Sequence, residues 1–244
     1  MGQDTVHGRI KSSIVFLAII VITLASPKLF ILHKLFFLGC GIIAILEIYL
    51  AYRSPSRIRT IREREIRMAM ISETIIISGG TISYLTFMRE QVMLIQLGVI
   101  VCDTFAYITG KLFGHKFIRV KPFPEISPKK SYEGLIGGIA CSTISVLGFS
   151  LWQSQHGAVT FLNFLAITFI GGLTVLGDLL GSLTKRRLGI KDSNACTHDH
   201  WLLQYPERLM SGFGGFLDRL DSIFFVSFTL GIIYSLAKIG RAHV

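Results

Sequence analysis

Charge is scarce in this sequence, and no stretch of it is polar enough for long enough to fold by itself in water. Of 244 residues, 16% are charged and 51% hydrophobic, and the mean hydropathy is +0.58, outside the range of ordinary soluble domains. No internal repeat and no low-complexity tract breaks the pattern, which excludes a repeat architecture. The four cysteines form no CxxC pair, so neither a zinc ribbon nor a dithiol redox centre is indicated. Cys40, Cys102 and Cys141 fall inside apolar runs and read as small core residues, while Cys196 lies in a loop. Acidic residues are fewer than basic ones, 15 against 25, for a formal net charge of +10.

What the sequence does contain is apolar runs that approach or exceed the roughly 20 residues a membrane helix requires. Seven are expected to span: Ser12–Ala25, Leu35–Tyr52, Met68–Met88, Val92–Phe113, Leu135–Trp152, Val159–Leu183 and Phe216–Ala237. The first resembles a signal peptide in having Arg9 and Lys11 before a short apolar stretch. Pro27 and a second span follow so closely that a retained helical hairpin is the expectation. The fold class predicted is therefore an all-α integral membrane protein, a polytopic bundle of about seven helices. Basic residues orient it. With the N-terminus in the cytoplasm, the inside segments hold Arg9 and Lys11, six arginines from Arg53 to Arg67, six Lys/Arg from Lys111 to Lys130, and Lys185, Arg186, Arg187, Lys191 and Arg208. The outside segments hold only Lys28, Lys34, Arg89, Lys238 and Arg241, a clear positive-inside bias. The net charge is then a skirt facing anionic headgroups, and "RSPSRIRTIREREIR" is a topology signal rather than a nucleic-acid site.

Charges that do enter the apolar runs are costly and hence functional candidates. Three clusters share the expected cytoplasmic edge. In "VCDTFAYITGKLFG", Asp103 interrupts an apolar span, with Tyr107 one turn on, while Gly98, Gly110 and Gly114 permit close helix approach or a turn. The following loop, "EISPKKSYEGLIGG", places Ser127 and Pro128 before Lys129 and Lys130. Ser131 is expected to cap the next helix, with Glu133 one residue short of the capping-box position. Adjacent lysines at a helix start suit phosphate oxygens. The second cluster, "LGDLLGSLTKRRLGIKD", spaces Asp178, Ser182 and Lys185 as one stripe, with Lys185 and Arg186 expected to run on into the loop. A purely structural account would pair Asp178 with Lys185 or Arg219. The third is "GFGGFLDRLDS", in which Asp218 and Asp221 are expected to face one way with Ser222 alongside and Arg219 elsewhere. Acids from separate helices and lysines from separate loops make an inventory for Mg²⁺ and polyphosphate chemistry.

"DTFAYITGKLFG", "ISPKKSYEG" and "GDLLGSLTKRRLGIKDS…GFGGFLDRLDS" together resemble the CDP-diacylglycerol synthases, or phosphatidate cytidylyltransferases, from about Val99 to Phe225. The resemblance implies an enzyme that condenses CTP with phosphatidate to give CDP-diacylglycerol and pyrophosphate. It is expected in a bacterial inner membrane with its site facing the cytoplasm. It also implies Asp178 and Asp218 as carboxylates of a two-cation centre, one cation being Mg²⁺. Lys185, Arg186, Asp192 and Asp221 belong to the same signature and are expected to be catalytic. Asp103, Tyr107, Ser127, Lys129, Lys130, Ser182 and Arg219 are expected at the substrates. The partners expected are CTP, phosphatidate and membrane lipids, not nucleic acid, with a homodimer left open.

Two departures stand out. The family pattern ends Pro-Gly-His-Gly-Gly where this chain has Ser211-Gly212-Phe213-Gly214-Gly215, and about a dozen extra residues separate Asp192 from Asp218. The extra segment contains Cys196, His198, Asp199 and His200, but zinc-ligand spacing is not met, so a cytoplasmic surface insertion near 195–210 is expected. The chain is accordingly divided into N-terminal membrane helices with a basic loop (1–90) and a catalytic membrane domain (91–240). The final "IGRAHV" equals one translated frame of a common sequencing adapter, so residues 239–244 are expected to be library sequence. A CTP-dependent polyprenol or lipid kinase and a catalytically silent paralogue are the competing readings, and a transporter is disfavoured because the acids gather at one interface rather than at the midplane.

Overall fold

A computed structural model describes residues 17–24, 26–53, 63–114, 116–118, 120–153, 161–190 and 217–242, and every regular element among them is helical. After a helical stretch at 17–24, a 3₁₀ turn (Pro27–Leu29) leads into α1 (Phe30–Arg53). Then follow α2 (Glu63–Thr86), α3 (Arg89–Phe113), α4 (Tyr132–Gln153), α5 (Phe161–Arg187) and α6 (Leu217–Ala242). Among the described residues four segments are long and apolar enough to cross a bilayer: Pro27–Arg53, Glu63–Thr86, Arg89–Phe113 and Tyr132–Trp152. A shorter apolar stretch, Leu220–Leu236, lies within α6. The chain is thus a polytopic membrane protein whose described residues form helices only. Of the seven expected spans, four correspond to these segments; Val159–Leu183 and Phe216–Ala237 are covered by the helices α5 and α6, which are not among the four, and Ser12–Ala25 lies outside the described residues apart from the helical 17–24.

Helix boundaries differ from the expected spans where polar residues obscured them. α1 begins at Phe30 rather than Leu35, because Pro27 at the first position of the 3₁₀ turn sets a helical φ. His33, which interrupts the apolar run, is buried with its Nδ1 2.8 Å from Thr23 Oγ1. α2 begins at Glu63 rather than Met68, with Glu63 and Glu65 in the first turn, where the helix dipole favours acids. α5 runs one turn past Leu183, so Lys185 and Arg186 are helical rather than in the loop. It stops at Gly189, whose φ is positive (69°), in a Schellman arrangement: Ile190 N–H donates to Lys185 O and Gly189 N–H to Arg186 O.

Contacts divide the chain into two units, residues 1–81 with 184–220 and residues 82–183 with 221–244. In the first, Leu188 and Ile190, beyond the end of α5, pack with Ala51 of α1 and Ile66 of α2, and Tyr52 adds to the cluster. In the second, α3 and α4 approach closely along small residues. A Cβ at Gly138 would lie 2.7 Å from Cys102 O, and one at Gly134 would lie 2.8 Å from Ala106 O. This is the small-residue contact membrane helices use when lipid supplies no hydrophobic drive. Ser142 Oγ donates to Gly98 O across the same seam (2.8 Å).

Candidate active site

Each unit, taken by itself, holds one lysine–carboxylate pair. In the second unit, Lys130 Nζ lies 2.6 Å from Asp178 Oδ2. The loop delivers this lysine through two successive turns, Ser127 N–H to Phe123 O and Lys130 N–H to Ser127 O, with Pro128 between. Ser131 then caps α4 as expected, its Oγ accepting the Gly134 N–H at 3.2 Å. Lys129 is exposed beside it, and Ser127 is half-buried. Asp103 is exposed on α3, within electrostatic reach of both Asp178 and Lys130. Tyr107 is 69% exposed, with the Lys111 ammonium 5.9 Å from its ring centroid. Asp178 side-chain exposure is 38%, enough for an incoming ligand to reach it.

In the first unit, Lys185 Nζ lies 2.7 Å from Asp218 Oδ1, with side-chain exposures of 10% and 16%. Two acids absent from the expected site support this pair. Glu73 of α2 accepts from Thr184 Oγ1 (2.9 Å) and acts electrostatically on Lys185. Glu47 of α1 accepts the backbone N–H of Leu217, the first residue of α6, at 3.1 Å. Both glutamates are buried. The rule that singles out Asp103, a carboxylate within an apolar run, selects Glu47 and Glu73 as well, and that was the signal available in the sequence.

The purely structural account of Asp178 as the partner of Lys185 does not hold. Its partner is Lys130, and Lys185 goes to Asp218. Seven residues along a helix amount to a ~10 Å rise, so a lysine three residues beyond Ser182 reaches another element more readily than it reaches Asp178. Asp218 and Asp221 are also unlike in surroundings. Asp221 is buried, its Oδ1 accepting the Ser222 N–H (2.7 Å), and Ser222 Oγ donates to Thr174 O (3.2 Å). A Cβ at Gly181 would stand 2.6 Å from Asp221 Oδ2, so that glycine is what admits the carboxylate against α5. Ser182 is half-buried and Arg186 exposed on α5. Asp192, Phe213, the 195–210 segment and the side chain of Arg219 lie outside the described residues.

Residues 74–237, two thirds of the chain, match the model of the cytidylyltransferase family. The chain belongs to that family. It is 35% identical over 143 residues to phosphatidate cytidylyltransferase 5, chloroplastic, of Arabidopsis thaliana, covering 58% of this chain and 30% of the relative. With the phosphatidate cytidylyltransferase of Staphylococcus epidermidis it shares 37% identity over 131 residues, 54% of this chain and 44% of the relative. The Staphylococcus aureus protein of that name is 39% identical over 132 residues, with the same coverage. The chain thus matches less than half the length of these relatives. Both lysine–carboxylate pairs fall within the segment shared with the family, whereas Glu47 and Glu73 lie before it.

Among the described residues no three His, Cys, Asp or Glu side chains gather as a metal cage. Mg²⁺ requires less: one or two carboxylates, with substrate phosphate and water completing the shell. Asp178 and Asp218 are carboxylates of that donor chemistry, each lying against a lysine.

Proposed function

We propose that the chain condenses CTP with phosphatidate, releasing pyrophosphate and leaving CDP-diacylglycerol in the membrane. The observation that carries the reading is the pairing of Lys130 with Asp178 and of Lys185 with Asp218 inside the segment matched by the cytidylyltransferase family. The names of the relatives support phosphatidate as the acceptor. In the reaction a phosphatidate oxygen forms a bond to the α-phosphorus of CTP, and the bond from that phosphorus to the β-phosphate oxygen breaks. Phosphatidate is already ionised near neutral pH, so no strong base is required and the protein's contribution is positioning and charge neutralisation.

The ammonium groups of Lys130 and Lys185 are held on carboxylates until phosphate oxygens take them, and Lys129 and Arg186 stand exposed for the same anions. Asp178 and Asp218 would hold Mg²⁺, which supplies neutralisation of phosphate charge when bound. Asp103 and Tyr107, exposed on α3, would meet the substrates. We place the N-terminus and the site on the cytoplasmic side of a bacterial inner membrane, on the strength of the basic-residue bias.

The test is purified protein with CTP, phosphatidate and Mg²⁺, with pyrophosphate and lipid product both followed. Stoichiometric pyrophosphate and CDP-diacylglycerol are expected. Release of CDP with a newly phosphorylated lipid would instead assign a kinase, and no turnover by folded protein would assign a silent paralogue.

A further inference from the structure

The loop after α3 has a feature the proposed reaction does not use. Glu133 Oε1 accepts two consecutive backbone N–H groups across the loop, from Phe117 (3.1 Å) and Ile118 (2.8 Å). The Lys116 N–H is satisfied by Phe113 O (3.0 Å). What this clamp holds up is apolar: Phe117 is 79% exposed and Val120 68%. Lys116 and Lys121 flank them and are exposed, the Lys116 ammonium sitting 5.7 Å from the Phe113 ring centroid. The position of the loop is set by the span before it. At 25 residues, α3 is ~37 Å long, against a hydrocarbon core of ~30 Å, long enough to carry its end past the hydrocarbon and the loop to headgroup level.

We propose that Phe117 and Val120 form an interfacial foot that inserts into the boundary between headgroups and acyl chains, with Lys116 and Lys121 on anionic headgroups and Glu133 as the clamp that sets its shape. Exposed aromatics beside lysines are the composition of surface-inserting segments. Backbone entering that layer must have its N–H groups satisfied from within the protein, and the single Glu133 carboxylate satisfies two of them. Lysines near an anionic surface add attraction that salt screens.

The experiment places a tryptophan at the tip. Phe117→Trp is introduced into the full chain with Trp152 and Trp201 changed to Phe, and the protein is reconstituted in phosphatidylcholine vesicles with and without phosphatidylglycerol. Strong quenching by lipids brominated high on the acyl chain, protection from aqueous acrylamide and a blue-shifted emission are expected. Adding Glu133→Ala should return all three to the values of a water-exposed tryptophan. Lys116→Glu with Lys121→Glu should abolish the gain in quenching that phosphatidylglycerol produces. Free acrylamide quenching with no bromolipid effect would overturn the proposal. So would protection from both quenchers, which would mean that protein, such as a second copy of the chain, covers the tip. If the tryptophan-free background does not fold, the same readings come from the difference between Phe117→Trp and the unaltered chain, and Val120→Trp serves as a second reporter.

Discussion

At the scale of single residues, Lys185 and Asp218 present a choice between structure and chemistry that their burial makes measurable. Removing one member of a buried ion pair costs about 3–5 kcal/mol, because the other charge is left without compensation. Lys185→Met should therefore lower the melting temperature in detergent. Asp218→Asn should lower it less, because Glu73 still acts on the lysine. The double variant Lys185→Met/Asp218→Asn should recover most of the lost stability. Activity should behave differently, falling by orders of magnitude in both single variants and staying low in the double. A double variant that regained activity along with stability would make the pair a structural salt bridge and remove both residues from the proposed site. Lys130 and Asp178 allow the same cycle, with a smaller stability effect, because Asp178 is 38% exposed and solvent screens the pair.

The elements that carry these residues are held by contacts of their own. Glu47 accepts the N–H of Leu217, one residue before Asp218, and so satisfies a donor at the start of α6 that the helix itself leaves without a partner. Glu47→Ala leaves that buried N–H unsatisfied, at a cost of about 1–3 kcal/mol. It should lower both the melting temperature and turnover, whereas Glu47→Gln keeps an acceptor and should restore most of each. Equal loss in the two variants would show that charge rather than the hydrogen bond matters. Against α5, Gly181→Ala would push a methyl group to 2.6 Å from Asp221 Oδ2. Overpacking of that kind costs about 1–3 kcal/mol, and a thermal melt unchanged by the substitution would show that α6 can shift to admit it.

For the whole molecule, the distribution of basic residues makes a prediction about sidedness. A cysteine at Ser56, in the arginine-rich segment, and one at Met88, exposed in the turn between α2 and α3, are separated by a single span. In a Cys196→Ser background, a membrane-impermeant thiol reagent should label Met88→Cys from outside intact cells and Ser56→Cys only in inverted vesicles. Labelling of both from one side would remove the assigned orientation and with it the cytoplasmic placement of the site.

Composition and spacing alone were enough for a helical membrane protein, because the bilayer demands long apolar helices and taxes every charge inside them, and the family was legible through the resemblance of its ordered motifs. Ser131 as a cap and Gly98, Gly110 and Gly114 at close approaches or a turn were legible for a similar reason: these are local rules of hydrogen bonding and size. Which lysine meets which carboxylate was not legible. Asp178 and Lys185 share one helix, and only the arrival of Lys130 from a loop and Asp218 from α6 assigns their partners. Glu133 reads in sequence as a capping residue out of register, and folding instead sets it under the backbone of a loop fifteen residues away. Helical periodicity ranks neighbours along one element. Pairing across elements depends on how those elements pack, and that is a property of the tertiary structure.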